Sequence, residues 1–199
     1  MSLNLAEIVE TIETTDRAAV EGLLTGDQLF MMGDIQPGEL VKGEFIEMTP
    51  PGFWHGIIEN KFGNIISIFV EKHNLGYVMV GEAGIYTRRN PDTVRGVDVA
   101  FISHERMAQV QSESYLDVAP ELIVEILSPR DRWNEVNDII AEYFEIGVQI
   151  VWIADPKRKQ IHVYQAVTEV EILKAEDIIS GREVLPGFSV VVAELFGVP

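Results

Sequence analysis

The chain has no cysteine. That excludes disulfides, thiolate nucleophiles and thiolate zinc sites, and any metal must be held by oxygen or imidazole. Cations are also scarce, with 15 Lys and Arg against 32 Asp and Glu and a net charge of −17. Broad nonspecific binding to nucleic acid needs a basic surface that displaces counterions from phosphate, and the composition argues against it. No apolar run approaches the roughly 18 residues of a spanning helix, and the N-terminus lacks the basic start and small-residue cleavage site of a secretory signal. A cytoplasmic location without a membrane partner is therefore expected. The chain also has no internal repeat and no low-complexity segment.

What remains is enough for a full core. The 199 residues are 47% hydrophobic, which fits one α/β domain. Leu5, Ile8, Val9 and Ile12 fall at helical spacing with Glu7, Glu10 and Glu13 elsewhere on the wheel. This predicts an N-terminal amphipathic arm over residues 1–26, ahead of a single domain over 27–199. With glutamates on its polar face, the arm reads as a packing or dimer element, so a homodimer is an expected assembly. Beyond it, Glu39 to Met48 alternates as a strand, and a helix is predicted from about Trp54 to His73. Strands follow near Tyr77 to Gly81, near Ile85 to Thr87 and around Asp98, whereas residues 103–118 show no strong period. A strand from Glu121 to Leu127, a helix over roughly 134–146 ending at Gly147, and a strand from Gln149 to Ala154 imply a right-handed crossover and parallel pairing. Ile161 to Tyr164 is then a hairpin partner.

Two acids stand out. Asp98 lies within Gly96-Val97-Asp98-Val99-Ala100-Phe101-Ile102, and Glu125 within Leu122-Ile123-Val124-Glu125-Ile126-Leu127. Both segments read as strands covered on two faces, so each carboxylate projects where water is scarce. An unpaired buried carboxylate costs several kcal/mol, and convergence on a divalent cation removes that cost. A structural ion pair or a strand end reaching solvent is the competing account. If a metal is held, the backbone carbonyl of Ile126 is the natural third ligand and Glu82 a further one. His55 is a candidate proton carrier or phosphate contact. The segment 51–100 is electrically neutral, with five acidic and five basic groups. Arg88, Arg89 and Arg95 precede Asp98, and Arg130 and Arg132 follow Glu125, so positive charge is expected near the pair.

Asp98 followed 27 positions later by Glu125-Ile126-Leu127 resembles the PD-(D/E)xK nuclease superfamily. Ala119 to Pro129 and Gly147 to Pro156 more specifically resemble the bacterial Uma family of restriction endonuclease-like proteins, long catalogued as a domain of unknown function. Gly43 to Pro50 with His55 resembles that family's opening segment, and Leu185-Pro186-Gly187-Phe188 with Glu194-Leu195-Phe196 its close. The resemblance covers about residues 27–197. It implies a restriction-endonuclease-like α/β core, a mixed central β-sheet flanked by helices. It also implies Mg²⁺ (or Mn²⁺) held by Asp98 and Glu125 and metal-assisted cleavage of nucleic acid; the residues themselves add Ile126 and Glu82 as candidate further ligands and His55 and Arg130 as candidate catalytic groups. Arg88, Arg89 and Arg132 would contact nucleic acid, DNA first. Two departures stand against it. Leu127 occupies the superfamily's lysine position, and Ile139 the helix position where the Uma family carries a substitute lysine. No lysine occurs between Lys72 and Lys157, so the cation near the reacting phosphate falls to Arg130, Arg132 or a distant group such as Lys61. Arginine stabilises charge but is a poor proton acceptor. Besides a metal-dependent nuclease, the sequence therefore admits a catalytically weakened binding or assembly module, and a hydrolase acting on small phosphorylated substrates.

Overall fold

The computed structural model describes residues 22–33 and 37–197; the arm expected over residues 1–26 lies almost wholly outside them. A short helix α1 (Gly26–Met31) comes first, closed at its start by a capping box between Thr25 and Gln28. Strands β1 (Gly38–Val41) and β2 (Glu44–Glu47) follow. The sequence reads this stretch as one strand, but Lys42 and Gly43 both take positive φ, 52° and 82°, and turn the chain in a two-residue hairpin. Helix α2 (Phe53–His73) buries Ile58, Phe62, Ile66 and Val70, a stripe at four-residue spacing, and ends on Asn74 in the left-handed conformation. Cutting the fully buried Phe62 to alanine is expected to cost about 3–5 kcal/mol in denaturant unfolding, the sum of lost burial and the cavity left behind.

Strands β3 (Gly76–Arg88) and β4 (Thr93–Ser103) pair along their whole length. The two short strands expected over Tyr77–Thr87 are thus one, interrupted by a bulge. The weakly patterned stretch after β4 opens with a single-turn helix α3 (His104–Met107), capped by Ser103. Strand β5 (Leu122–Ile126), helix α4 (Trp133–Ile146) and strand β6 (Ile150–Asp155) form the predicted crossover, and β5 and β6 pair in parallel. Gly147, at φ 101°, closes α4 where a side chain would be strained. Strand β7 (Gln160–Ala166) returns antiparallel to β6, and β8 (Glu169–Leu173) follows it.

The sheet order is β2-β1-β4-β5-β6-β7-β8, with β3 along the other edge of β4. A ribbon of β9 (Ile178–Gly181) and β10 (Leu185–Val191) leads into helix α5 (Val192–Phe196). Alternation along the central strands divides the core as expected. Leu122, Val124, Ile126 and Trp152 join Phe62 and Ile66 of α2 and Phe196 of α5 in one layer. Ile123, Val151 and Ile153 face the α4 side with Ile140 and Tyr143. The mixed α/β architecture, a central mixed sheet flanked by helices, agrees with the sequence reading. Among the described residues no helix is long and apolar enough to cross a membrane.

Candidate metal centre

The pairing of β4 with β5 runs from Phe101↔Leu122 to Val99↔Val124 and stops one rung short of Asp98. There the strands part, and the Asp98 side chain replaces the missing rung. Its Oδ2 accepts the N–H of Ile126 at 2.6 Å, and its Oδ1 accepts from His55 Nε2 at 2.9 Å. Asp98 is only 3% exposed. Glu125, the next position on β5, turns toward α4, where the buried hydroxyl of Tyr143 donates to it at 2.5 Å. The two acids that the sequence singles out thus flank the same strand ends, held by different helices.

Helix α2 adds the third group. His55 lies in its first turn and Glu59 one turn on, so both reach the same side. Glu59 Oε1 accepts the N–H of Gly81 at 2.6 Å. One donor atom each from His55, Glu59 and Asp98 lies within 4.8 Å of the others. Oxygen and imidazole donors at that separation suit a divalent cation.

The bulge in β3 sits at this point. Val80 pairs with Val99 and Ala83 with Val97, so Gly81 and Glu82 together oppose Asp98. Both take positive φ, 81° and 58°. Glycine tolerates this; for glutamate it costs about 1–2 kcal/mol. The bulge redirects Glu82 over Gly96, where an added Cβ would come within 2.9 Å of the Glu82 Oε2. Glycine at 96 is therefore what makes room for that carboxylate.

Electrostatics records the crowding. Burial, then the charge of Asp98, raises Glu82 to about 7. Glu125 is raised well above the ordinary carboxylate range for the same two reasons in the same order, despite the opposing hydrogen bond from Tyr143. Glu59 is raised by burial first, with Asp98 adding to it. His55 is raised chiefly by its hydrogen bond to Asp98. Three carboxyls that resist ionisation around one buried aspartate form a site whose repulsion a cation would relieve.

The remaining predicted residues are spread more widely. Arg130 is exposed on the turn after β5, and Arg132 is exposed and 3.7 Å from Glu135. Arg88 is exposed at the end of β3. The Arg89 guanidinium lies 3.3 Å over the Tyr86 ring and 3.3 Å from Asp92. Arg95 does not offer free charge to the pair, as its place in the sequence suggests. It is bound by Glu39 at 2.8 Å and twice by Glu142, at 2.8 and 2.9 Å. Lys61 is two residues past Glu59, about 200° round the helix, with its stem beside Gly197. Ile139 packs against the apolar layer beneath α4. Sequence reading missed Glu59, although its four-residue spacing from His55 on a predicted helix was a usable signal. Tyr143 is buried in the core, and its hydroxyl partners Glu125. Trp152 is fully buried in the core.

Comparison with known proteins bears on this arrangement. No curated protein matches the chain. A crystal structure described as that of "a putative nuclease belonging to DUF820" from Anabaena variabilis ATCC 29413 is similar in fold, with a TM-score of 0.72 at 19% identity. The similarity covers 87% of this chain and 98% of that one. The Uma2 family, described as "putative restriction endonuclease", matches residues 28–193, most of the sequence. The chain belongs to the Uma2 family.

Proposed function

We propose that this protein is a divalent-metal-dependent nuclease that hydrolyses phosphodiester bonds of nucleic acid. The observation that carries the proposal is the meeting of His55, Glu59 and Asp98 within 4.8 Å, at the strand ends that also bear Glu125. Family membership and the likeness to the Anabaena variabilis structure support the same reading. The donor set fits Mg²⁺ or Mn²⁺: carboxylates dominate it, and their raised pKa values mark repulsion that a cation would offset. Asp98 and Glu59 would hold the ion with Glu125, Glu82 and the Ile126 carbonyl as further ligands. That carbonyl leaves the strand from the same edge as the N–H bound to Asp98. A bound divalent ion supplies charge neutralisation at the phosphoryl oxygen and a more acidic water.

The chain's own groups prepare the rest. The Ile126 N–H fixes Asp98 Oδ2, which leaves Oδ1 facing His55. With Nε2–H donated to Asp98, His55 Nδ1 lies 3.5 Å from Ser128 Oγ. The hydrogen bond to Asp98 raises its pKa, so it holds its second proton more firmly than a free imidazole. Tyr143 restrains Glu125, and Tyr143→Phe is expected to lower cleavage about 10–100-fold, the usual effect of releasing a ligand from its support. Unchanged kinetics in this variant would remove Tyr143 from the site.

Incubation with Mn²⁺ or Mg²⁺ and single- and double-stranded DNA and RNA tests the function; cleavage abolished by EDTA is the expected result. The hydrophobic Ile139 favours a second reading, a weakened enzyme that binds without turnover. That reading gains if wild type is inert in every metal yet stabilised by one.

Stability against pH reports on the same cluster. Glu59, Glu82 and Glu125 bind protons more tightly folded than unfolded, and so does His55. The unfolded chain therefore holds fewer protons than the folded one, and metal-free stability falls as pH rises from about 4.5 toward and past 7. Mn²⁺ is expected to raise the melting temperature more at pH 8 than at pH 5. Glu82→Gln should flatten the metal-free decline; an identical pH profile would show that Glu82 does not feel Asp98.

A further inference from the structure

Strand β8 ends the sheet, and among the described strands only β7 pairs with it. Its partners on β7 settle its faces. Val170 and Ile172 lie opposite Tyr164 and His162, on the α4 side of the sheet, and Glu171 lies opposite Val163 on the other. The cover on the α4 side thins here: Trp133, the first residue of α4, reaches His162 with their rings 4.7 Å apart, yet Val170 and Ile172 remain 45% and 51% exposed. Free backbone groups and β-branched side chains make an edge a template for another strand, and lysine or proline usually blunts it. β8 has neither, and its register with β7 is regular from Val170 to Leu173. What would keep a like strand away is its own acid. Arg182, on the turn after β9, meets Glu171 at 2.5 Å and offsets that charge. At the opposite end of the sheet path β2 carries exposed Glu44 and Glu47, with Pro50-Pro51 close behind, and is blunted in the usual way.

We infer that β8 pairs antiparallel with β8 of a second copy of this chain, about a two-fold axis normal to the sheet, so that one sheet runs through both copies. Such an axis keeps each side chain on its own side, and residues of like face meet. Centred on Glu171, it gives all five residues of β8 a counterpart: Val170 meets Ile172 of the second copy at two places, and Glu169 meets Leu173. The apolar pairs then close over the strip that α4 leaves open, as cross-strand pairs stabilise any sheet. On the opposite side the two Glu171–Arg182 pairs stand side by side, so neither carboxylate faces only its like. Because that neutralisation comes from its own chain, the edge fits a second copy and does not call for a basic partner. The net charge of −17 on each copy opposes the approach over long range. The inference is independent of the nuclease reading.

Sedimentation velocity on the full chain, from about 2 to 200 μM, suits the weak dimer expected of so small an interface. Wild type is expected to pass from monomer to dimer across that range. Val170→Glu and Ile172→Lys should each raise the dimer dissociation constant at least about 100-fold, by burying a charge without a partner. Both substitutions in one chain should restore association to within about tenfold of wild type, because this register sets each new lysine against a new glutamate. Arg182→Ala should weaken the dimer about 2- to 5-fold, since two uncompensated glutamates then oppose each other. Added salt should strengthen it by screening the repulsion between two acidic chains. Val170 and Ile172 are exposed, so the variants should melt as wild type does, and melting curves check this. Wild type that stays monomeric throughout the range overturns the inference. So does a dimer that both single variants leave intact, which would place the interface elsewhere, or a double variant that associates no better than the single ones. A dimer weakened by salt would be one held by ion pairs between copies, and overturns it as well.

Discussion

Asp98→Asn is expected to reduce metal-dependent phosphodiester cleavage at least about 100-fold, because even a group that merely orients a metal ligand is worth about 10–100-fold. Asparagine keeps an oxygen for the Ile126 N–H and nearly the same volume, but it loses the charge that would bind the cation. It also removes the charge that raises Glu59, Glu82 and Glu125. Metal-free Asp98→Asn should therefore melt no lower than wild type while losing its stabilisation by Mn²⁺. Asp98→Ala differs in a way that separates the roles. It strands the buried N–H of Ile126, at a cost of about 1–3 kcal/mol, and so lowers stability as well as activity. Full cleavage by Asp98→Asn, measured beside its melting curve, would reject Asp98 as a metal ligand.

Arg95→Ala is expected to destabilise the protein by about 2–4 kcal/mol. The guanidinium is 11% exposed and bridges Glu39 and Glu142, whose side chains are 17% and 29% exposed. Removing it leaves two carboxylates facing each other across a gap that water only partly enters. Breaking a buried pair by deleting one partner costs about 3–5 kcal/mol, and the residual exposure tempers that here. For a chain of this length the melting temperature should fall about 5–15 °C. The bidentate hold on Glu142 ties β4 to α4, the helix that carries Tyr143, so Mn²⁺ affinity should weaken too. Adding Glu142→Gln to Arg95→Ala should recover part of the loss, because it removes one of the unpaired charges. Thermal unfolding of both variants checks this, and an unchanged melting temperature in Arg95→Ala would reject the network as a support of the fold.

Local chemistry made much of the scaffold readable from sequence. Ile58, Phe62 and Ile66 mark α2 by spacing alone, Gly147 marks the end of α4, and the β-branched runs around Asp98 and Glu125 mark strands buried on both faces. These signals lie within one or two turns of chain, and pattern reading reaches that far. The Lys42-Gly43 hairpin escaped because lysine seldom adopts positive φ. The single long β3 escaped because its bulge imitates a break between two strands.

The sequence by itself determined which residues are apolar, where helices and strands form, and that two carboxylates would be carried into a dry sheet. Only the tertiary structure decided which groups share a site. Glu59 joins Asp98 because α2 packs across β3 and β4; Glu82, though exposed, comes to lie over Gly96 because one extra residue in β3 redirects it. Arg95 is withdrawn from the acids it precedes because Glu39 and Glu142, 56 and 47 positions away, reach it first. Such meetings depend on register, crossover and bulge geometry. These are set by the free energy of the whole packed chain, and no local window contains them.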